Sequence, residues 1–254
     1  MRTHLHICDR HASPELDLSY NDWIGGLIHD LRPDVVIDNG DGADMSSLCS
    51  YDKGTRDFHG RSYGADVASA VEANDRMWRL PRKSKKKLPR RVTTIGNHEY
   101  RVARALNLSP ELEGAIGFND LQLDTYYQDI VHYDGATPGV IEIDGLYYAH
   151  YLVSGILGRP ISGEHQAYSL IAKQNASCVV GHSHILDFAR RVGIDGRSRI
   201  GVVGGCATPH RPKFVGGAEK LWWRGVTILR NVDGTGGCEP EFVSLERLKE
   251  IYGK

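Results

Sequence analysis

The stretch DVVIDNGDGAD, Asp34 to Asp44, opens as a β-branched apolar run and then breaks into glycines and two aspartates, Asp41 and Asp44. A short apolar run bounded by turn residues is the pattern of a strand covered on both faces. Upstream, HLHIC (His4–Cys8) is a second strand-like run. Between the two, Ser19–Leu31 sets Trp23, Leu27, Ile28 and Leu31 at helical spacing, with Ser19 as candidate N-cap and Pro33 just past the end. Strand, helix and strand in so few residues make a βαβ unit, which implies parallel strands joined by a right-handed crossover.

Downstream, residues 45–60 read as irregular, and an Ala-rich helix is expected from about Gly64 to Trp78. RRVTTI (Arg90–Ile95) is the third strand, followed by helical segments over much of 100–128. GVIEIDGLYYAHYL (Gly139–Leu152) alternates on both sides of Asp144-Gly145, a strong hairpin signal. A helix near Gly163–Gln174 leads to strand Ser177–Gly181, and further strands are expected at about 185–192, 199–204, 225–230 and 240–245. No internal repeat or linker interrupts the chain. The expectation is one α/β domain over residues 1–254, with an insertion at about 45–90 between the second and third strands.

With 41% hydrophobic and 25% charged residues among 254, the composition is that of a soluble globular chain. No run of eighteen apolar residues exists, so no membrane span is expected. MRTHLHICDRH lacks the apolar core of a secretory signal. Five scattered cysteines, never spaced C-x-x-C, fit free thiols in a reducing compartment, so a cytoplasmic location is expected. Charge is uneven. RLPRKSKKKLPRR (Arg79–Arg91) holds eight basic residues and no acid, which leaves −9 on the rest of a chain whose net charge is −1.

The strand ends carry the chemistry. The first strand ends on Asp9 and His11, the second on Asp41 and Asp44, the third on Asn97 and His98 in GNHE, the hairpin on His150, and the strand after it on His182 and His184 in GHSH. In an α/β sheet the carboxyl ends of parallel strands form one rim, where ligands bind. Acids, an amide and imidazoles gathered there suit a pair of divalent ions, with a carboxylate between them. Mixed nitrogen and oxygen donors favour manganese, iron or zinc over calcium or magnesium. Alone, each piece has a plainer reading: a solvated loop, a helix cap at Asn97, or a satisfied core histidine at His150.

Taken in order, D-x-H (Asp9, His11), G-D-x-x-D (Gly40, Asp41, Asp44), G-N-H-E (Gly96–Glu99), His150 and G-H-x-H (Gly181–His184) resemble the calcineurin-like metallophosphoesterase superfamily. The resemblance implies a four-layer α/β/β/α sandwich of two mixed sheets with a dinuclear metal site, manganese being expected and iron or zinc compatible. It assigns Asp9, His11 and His184 to one ion and Asn97, His150 and His182 to the other, with Asp41 between them. His98 would stand beside the substrate as proton donor, oriented by Asp44. The implied reaction is hydrolysis of a phosphate ester, two cations making hydroxide available near neutral pH. Met45 stands where the superfamily's protein phosphatases carry Arg, which argues against a phosphoprotein substrate. The G-H-x-H ending is similar to phosphodiesterases and repair nucleases, although those nucleases carry Asp at the position of Glu99. Arg101 and the basic residues Lys83, Lys85, Lys86 and Lys87 are candidate contacts to a nucleic acid, DNA or RNA. A nuclease is therefore the leading expectation, ahead of a phosphomonoesterase or small-nucleotide phosphodiesterase and of a non-catalytic metal-binding scaffold. His4, His6 and His210 receive no role, and Trp222 and Trp223 are read as core or interface residues.

Overall fold

A computed structural model describes residues 1–210 and 213–253. The first half of the chain alternates strand and helix: β1 (Arg2–Ile7), α1 (Tyr20–Leu31), β2 (Val35–Asp38), α2 (Tyr63–Lys83), β3 (Arg90–Thr94), α3 (Arg101–Leu108), α4 (Leu123–Tyr126) and β4 (Asp129–Val131). The second half is richer in strands: β5 (Ile141–Ile143), β6 (Leu146–Tyr148), β7 (Val153–Ser154), β8 (Arg159–Pro160), α5 (Gln166–Gln174), β9 (Ser177–Val180), β10 (Leu186–Val192), β11 (Ser198–Gly204), β12 (Gly225–Val232), β13 (Glu239–Ser244) and α6 (Leu245–Tyr252).

Two mixed sheets result, a six-stranded one in the order β13-β12-β1-β2-β3-β4 and a five-stranded one in the order β10-β11-β9-β6-β5. β1 and β2 pair in parallel, His4 opposite Val35 and Ile7 opposite Asp38, as the βαβ reading expects. The period-2 alternation of β2 decides the layering. Val36 faces outward, with Leu5 and Ile7, onto Tyr20, Ile24 and Ile28 of α1, Met77 and Trp78 of α2 and Leu248 of α6. Val35 and Ile37 face inward onto Tyr148, Val179 and Val202 of the second sheet. That sheet's far face, through Cys178, Val180 and Val203, packs on Ala167 and Leu170 of α5. The layers therefore run helix, sheet, sheet, helix. The β5–β6 hairpin turns on Asp144 and Gly145, both at positive φ (53° and 80°), as a two-residue primed turn requires.

The elements differ from expectation in several places, the short β7–β8 pair among them. α2 runs to Lys83 instead of ending near Trp78, because Trp78 and Pro81 stay buried and carry the helix one turn further. β4 and α6 are additional to the expected elements: β4 is three residues long, too short to show a period, and α6 starts within the last expected strand, capped by Ser244 Oγ, which accepts from the Arg247 N–H (3.1 Å). All five cysteines are free thiols. Among the described residues no helix is long and apolar enough to cross a membrane.

Candidate metal centre

Five parallel strands deliver their C-terminal ends to one rim: β1, β2 and β3 from the first sheet, β6 and β9 from the second. Beyond the strands the loops continue to pair. Asp9 N–H donates to Gly40 O (3.0 Å), His11 N–H to Asp41 O (2.8 Å) and Gly181 N–H to His150 O (3.1 Å), so the loops are fixed extensions of the sheets. Their turns are sharp. Asp9, His11, Asp41, His182 and His184 all hold positive φ, between 46° and 70°. For non-glycine residues this costs on the order of 1 kcal/mol or more each, and such conformations persist where a site demands them.

The side chains form three overlapping donor groups: Asp9 with His11 and His184, His11 with Asp41 and His98, and Asp41 with His150 and His182. In the first, His184 Nε2 lies 3.2 Å from Asp9 Oδ1 and 3.1 Å from His11 Nε2. In the last, His150 Nε2 lies 3.2 Å from Asp41 Oδ2, 3.0 Å from Asn97 Oδ1 and 3.2 Å from His182 Nδ1. Protons cannot satisfy this arrangement. His150 Nδ1 donates to Asn39 O (3.0 Å), so at most one proton, on Nε2, is left for three acceptors around it. A cation satisfies all of them at once, and donors bound about 2.1 Å from one ion stand roughly 3–3.4 Å apart, as these do. The donor set therefore fits divalent metal ions.

Each carboxylate keeps one oxygen for this cluster and gives the other to the backbone. Asp9 Oδ2 accepts from His182 N–H (2.9 Å) and Asp41 Oδ1 from His98 N–H (2.8 Å), so each acid is aimed by a loop from another strand. Burial opposes ionisation of both, yet the surrounding histidines hold both acids well below the usual carboxylate range. Burial likewise opposes the charge on His150, but Asp41 and Asp9 push it up to about 10, and burial beside that charge draws His182 down to about 4.

Three residues that carry no expected role build the platform underneath. Glu99 is buried, and its carboxylate accepts from the N–H groups of Asp41 (3.0 Å), Ala43 (2.8 Å) and Gly96 (2.9 Å), clamping the loops after β2 and β3 together. Burial and the Asp41 charge raise its carboxyl to about 7. Asn39 bridges the sheets. Its Nδ2 donates to Ala149 O (2.7 Å) and its Oδ1 accepts from Thr94 Oγ1 (3.0 Å). Arg10, between Asp9 and His11, turns the other way and buries its guanidinium against Asp38 (2.6 Å), Asn74 (2.8 Å) and Asn21 (2.9 Å). Only these long-range partners distinguish the three from ordinary loop residues.

At the open end of the rim, His98 Nδ1 lies 2.9 Å from Asp44 Oδ1, and Asp44 also stands 3.6 Å from His11 Nδ1. His98 Nε2 points to Asp41 Oδ2 (3.7 Å) and sits 3.2 Å from Arg101 Nη2. Burial pulls the His98 imidazolium down, but Asp41 and Asp44 outweigh it and hold the pKa above the ordinary histidine value. Arg101 is fixed by Nη1 donating to Asp44 O (2.7 Å). Trp222 stands edge-on to the His184 ring, 4.1 Å between centroids, so it borders the site instead of filling a core.

Asp9, His11, Asp41, Asp44, Asn97, His98, Arg101, His150, His182 and His184 thus meet at one rim. The lysines do not. Lys83 closes α2, and Lys85, Lys86 and Lys87 lie in the segment that enters the start of β3, at the edge where β1, β2 and β3 begin. β3 runs from the lysines to the site, so the basic segment lies one strand length away, as its place just before that strand implies.

No family model and no curated protein matches the chain. Among solved structures it is similar to YfcE, a phosphoesterase from E. coli, at 14% identity and a TM-score of 0.42, covering 96% of this chain and 99% of that one. It is also similar to the protein TT1561 of Thermus thermophilus, at 13% identity and a TM-score of 0.40, with the same coverage. Likeness this distant leaves the donor geometry as the ground for any function.

Proposed function

We propose that this chain is a calcineurin-like metallophosphoesterase that hydrolyses phosphate esters with two divalent ions, manganese first among the candidates and iron or zinc also compatible. The observation that carries the reading is the convergence, from five strand ends, of the six side chains of the first and last groups with Asn97 beside His150. Asp9, His11 and His184 would hold one ion, Asn97, His150 and His182 the other, and Asp41 both. Such a pair supplies an activated water and neutralises charge on phosphoryl oxygens.

The chain's own groups do the rest. His98, whose pKa Asp41 and Asp44 raise above the ordinary histidine value against burial, would give a proton from Nε2 to the leaving oxygen, while Asp44 fixes the ring through Nδ1. Arg101, beside His98, offers N–H groups to a non-bridging phosphate oxygen. Within this chemistry the G-H-x-H ending supports a phosphodiester substrate. The lysines, a strand's length away, favour a small diester or monoester over a nucleic acid strand.

Purified protein loaded with Mn2+ and offered plasmid, single-stranded DNA, RNA, bis-p-nitrophenyl phosphate and p-nitrophenyl phosphate separates these readings. We expect cleavage of the diester dye, lost on chelation and in Asp41→Asn. Cleavage of the monoester alone would sink the diester assignment, cleavage of the polymers would restore the nuclease, and no cleavage at all would leave a metal-binding scaffold.

A further inference from the structure

At the opposite edge of the six-stranded sheet, a cavity of about 540 Å3 opens between the end of α1, the 84–89 segment and the starts of β1, β2 and β3. Its size is that of a small-molecule site, roughly 300–1,000 Å3. Five cations line it, Arg2, Arg32, Lys86, Lys87 and Arg90, against one aspartate, Asp34. Asp34 is already engaged, Oδ2 accepting from Thr3 N–H at 2.8 Å. Arg32, Lys86 and Lys87 have no carboxylate partner among the described residues. Arg2 and Arg90 hold Asp144 (3.1 Å) and Asp129 (2.8 Å), but both pairs are solvent-exposed and readily exchanged for a stronger anion. Arg32 closes α1 at φ 51°, its N–H bonded to Ile28 O, so its stem leaves from a fixed point.

We infer that this cavity is a second binding site, for a small molecule that joins a chain of phosphates to an apolar or aromatic group, the chemistry of a nucleoside polyphosphate. Five cations from three separate segments close on one concavity, which suits several phosphates in a cluster better than a strand tracked along a surface. Between them Leu88 and Pro89, half-buried, present apolar surface to the rest of the ligand, backed by the buried Ile28, Val35 and Pro81. The site is distinct from the metal centre. β3 spans five residues, Arg90–Thr94, so roughly 15 Å of strand separates the two edges. β1, β2 and β3 each begin at this cavity and end at a candidate metal ligand. The inference does not depend on the proposed hydrolysis.

Titration calorimetry of the Mn2+-loaded protein with β,γ-methylene ATP, which resists hydrolysis between its last phosphates, tests it. Saturable one-to-one binding is expected that survives Asp41→Asn. It should weaken at least tenfold in Lys86→Glu/Lys87→Glu, and also in Arg32→Asn, which tolerates the left-handed backbone. Those variants should keep the parent's rate on bis-p-nitrophenyl phosphate. Binding abolished by Asp41→Asn, or indifferent to the cavity variants, would overturn the site. An unphosphorylated oligonucleotide that binds more tightly than the nucleotide, with the same dependence on Lys86 and Lys87, would overturn its small-molecule character.

Discussion

His98 is the residue to which the proposed function gives the proton transfer. Its Nδ1 is tied to Asp44 and its Nε2 is the ring nitrogen turned toward Asp41 and the opening, so replacing it removes a proton donor without removing a ligand from either three-residue group around Asp9 or His150. His98→Asn should lower kcat on a poor leaving group by about 100- to 10,000-fold, the usual worth of a positioned acid, while metal content by elemental analysis stays at the parent level. Unchanged turnover would remove the acid role. A second expectation concerns His6, buried with Asn39 Nδ2 3.2 Å from its Nε2 and held near pKa 4 chiefly by burial. Below pH 6.5 the unfolded chain binds a proton that the folded chain refuses. Stability is therefore full above pH 6.5 and falls as pH drops toward 4, by roughly 3 kcal/mol from this group alone. Denaturant titrations across that window should show a shallower loss for His6→Gln than for the parent. At this scale the donors were legible, because short motifs place them side by side. Glu99, Asn39 and Arg10 were not, because what defines them is a partner on another strand.

At the scale of elements, the site depends on how closely the turns after β2 and β3 approach. A Cβ on Gly96 would fall inside the contact distance of both Asp41 Oδ1 and Asp41 N, a backbone obstruction that no rotamer change relieves. Gly96→Ala should therefore fold but push Asp41 out of place, lowering Mn2+ affinity at least tenfold in calorimetric titration. Asn39→Ala removes the amide that joins the end of β2 to Ala149 O (2.7 Å) and Val179 O (3.2 Å) of the second sheet; Val179 O keeps the Ala149 N–H (3.5 Å), but the buried Ala149 O loses this donor. A loss of about 2–3 kcal/mol in equilibrium unfolding is expected. β1, α1 and β2 could be read because their periods differ and Pro33 punctuates them. The end of α2 could not, since a run of cations carries no packing signal and the helix persists only because Trp78 and Pro81 find cover.

The whole molecule sets two sheets face to face so that five strands end together. The apolar runs made the individual strands and helices legible, and the polar residues just past each run the rim; the four layers were expected from the resemblance alone. Because the donors come from both sheets, metal should bind the folded chain and not the unfolded one. At a metal concentration a thousandfold above Kd the linkage is worth about 4 kcal/mol. Differential scanning calorimetry should show Tm falling on chelation and recovering with Mn2+, and Asp41→Asn should be indifferent to both.

The left-handed backbone at His11 (φ 46°) and His184 (φ 61°) has one more consequence. Glycine accepts that conformation freely, and removing either imidazole also ends the crowding of two ring nitrogens 3.1 Å apart. Chelated protein carrying His184→Gly should thus outlast its parent on heating, while under the proposed function its activity should be lost. Selection for thermal endurance alone would erode this rim first, and its imidazoles survive only where reactivity is what is being chosen.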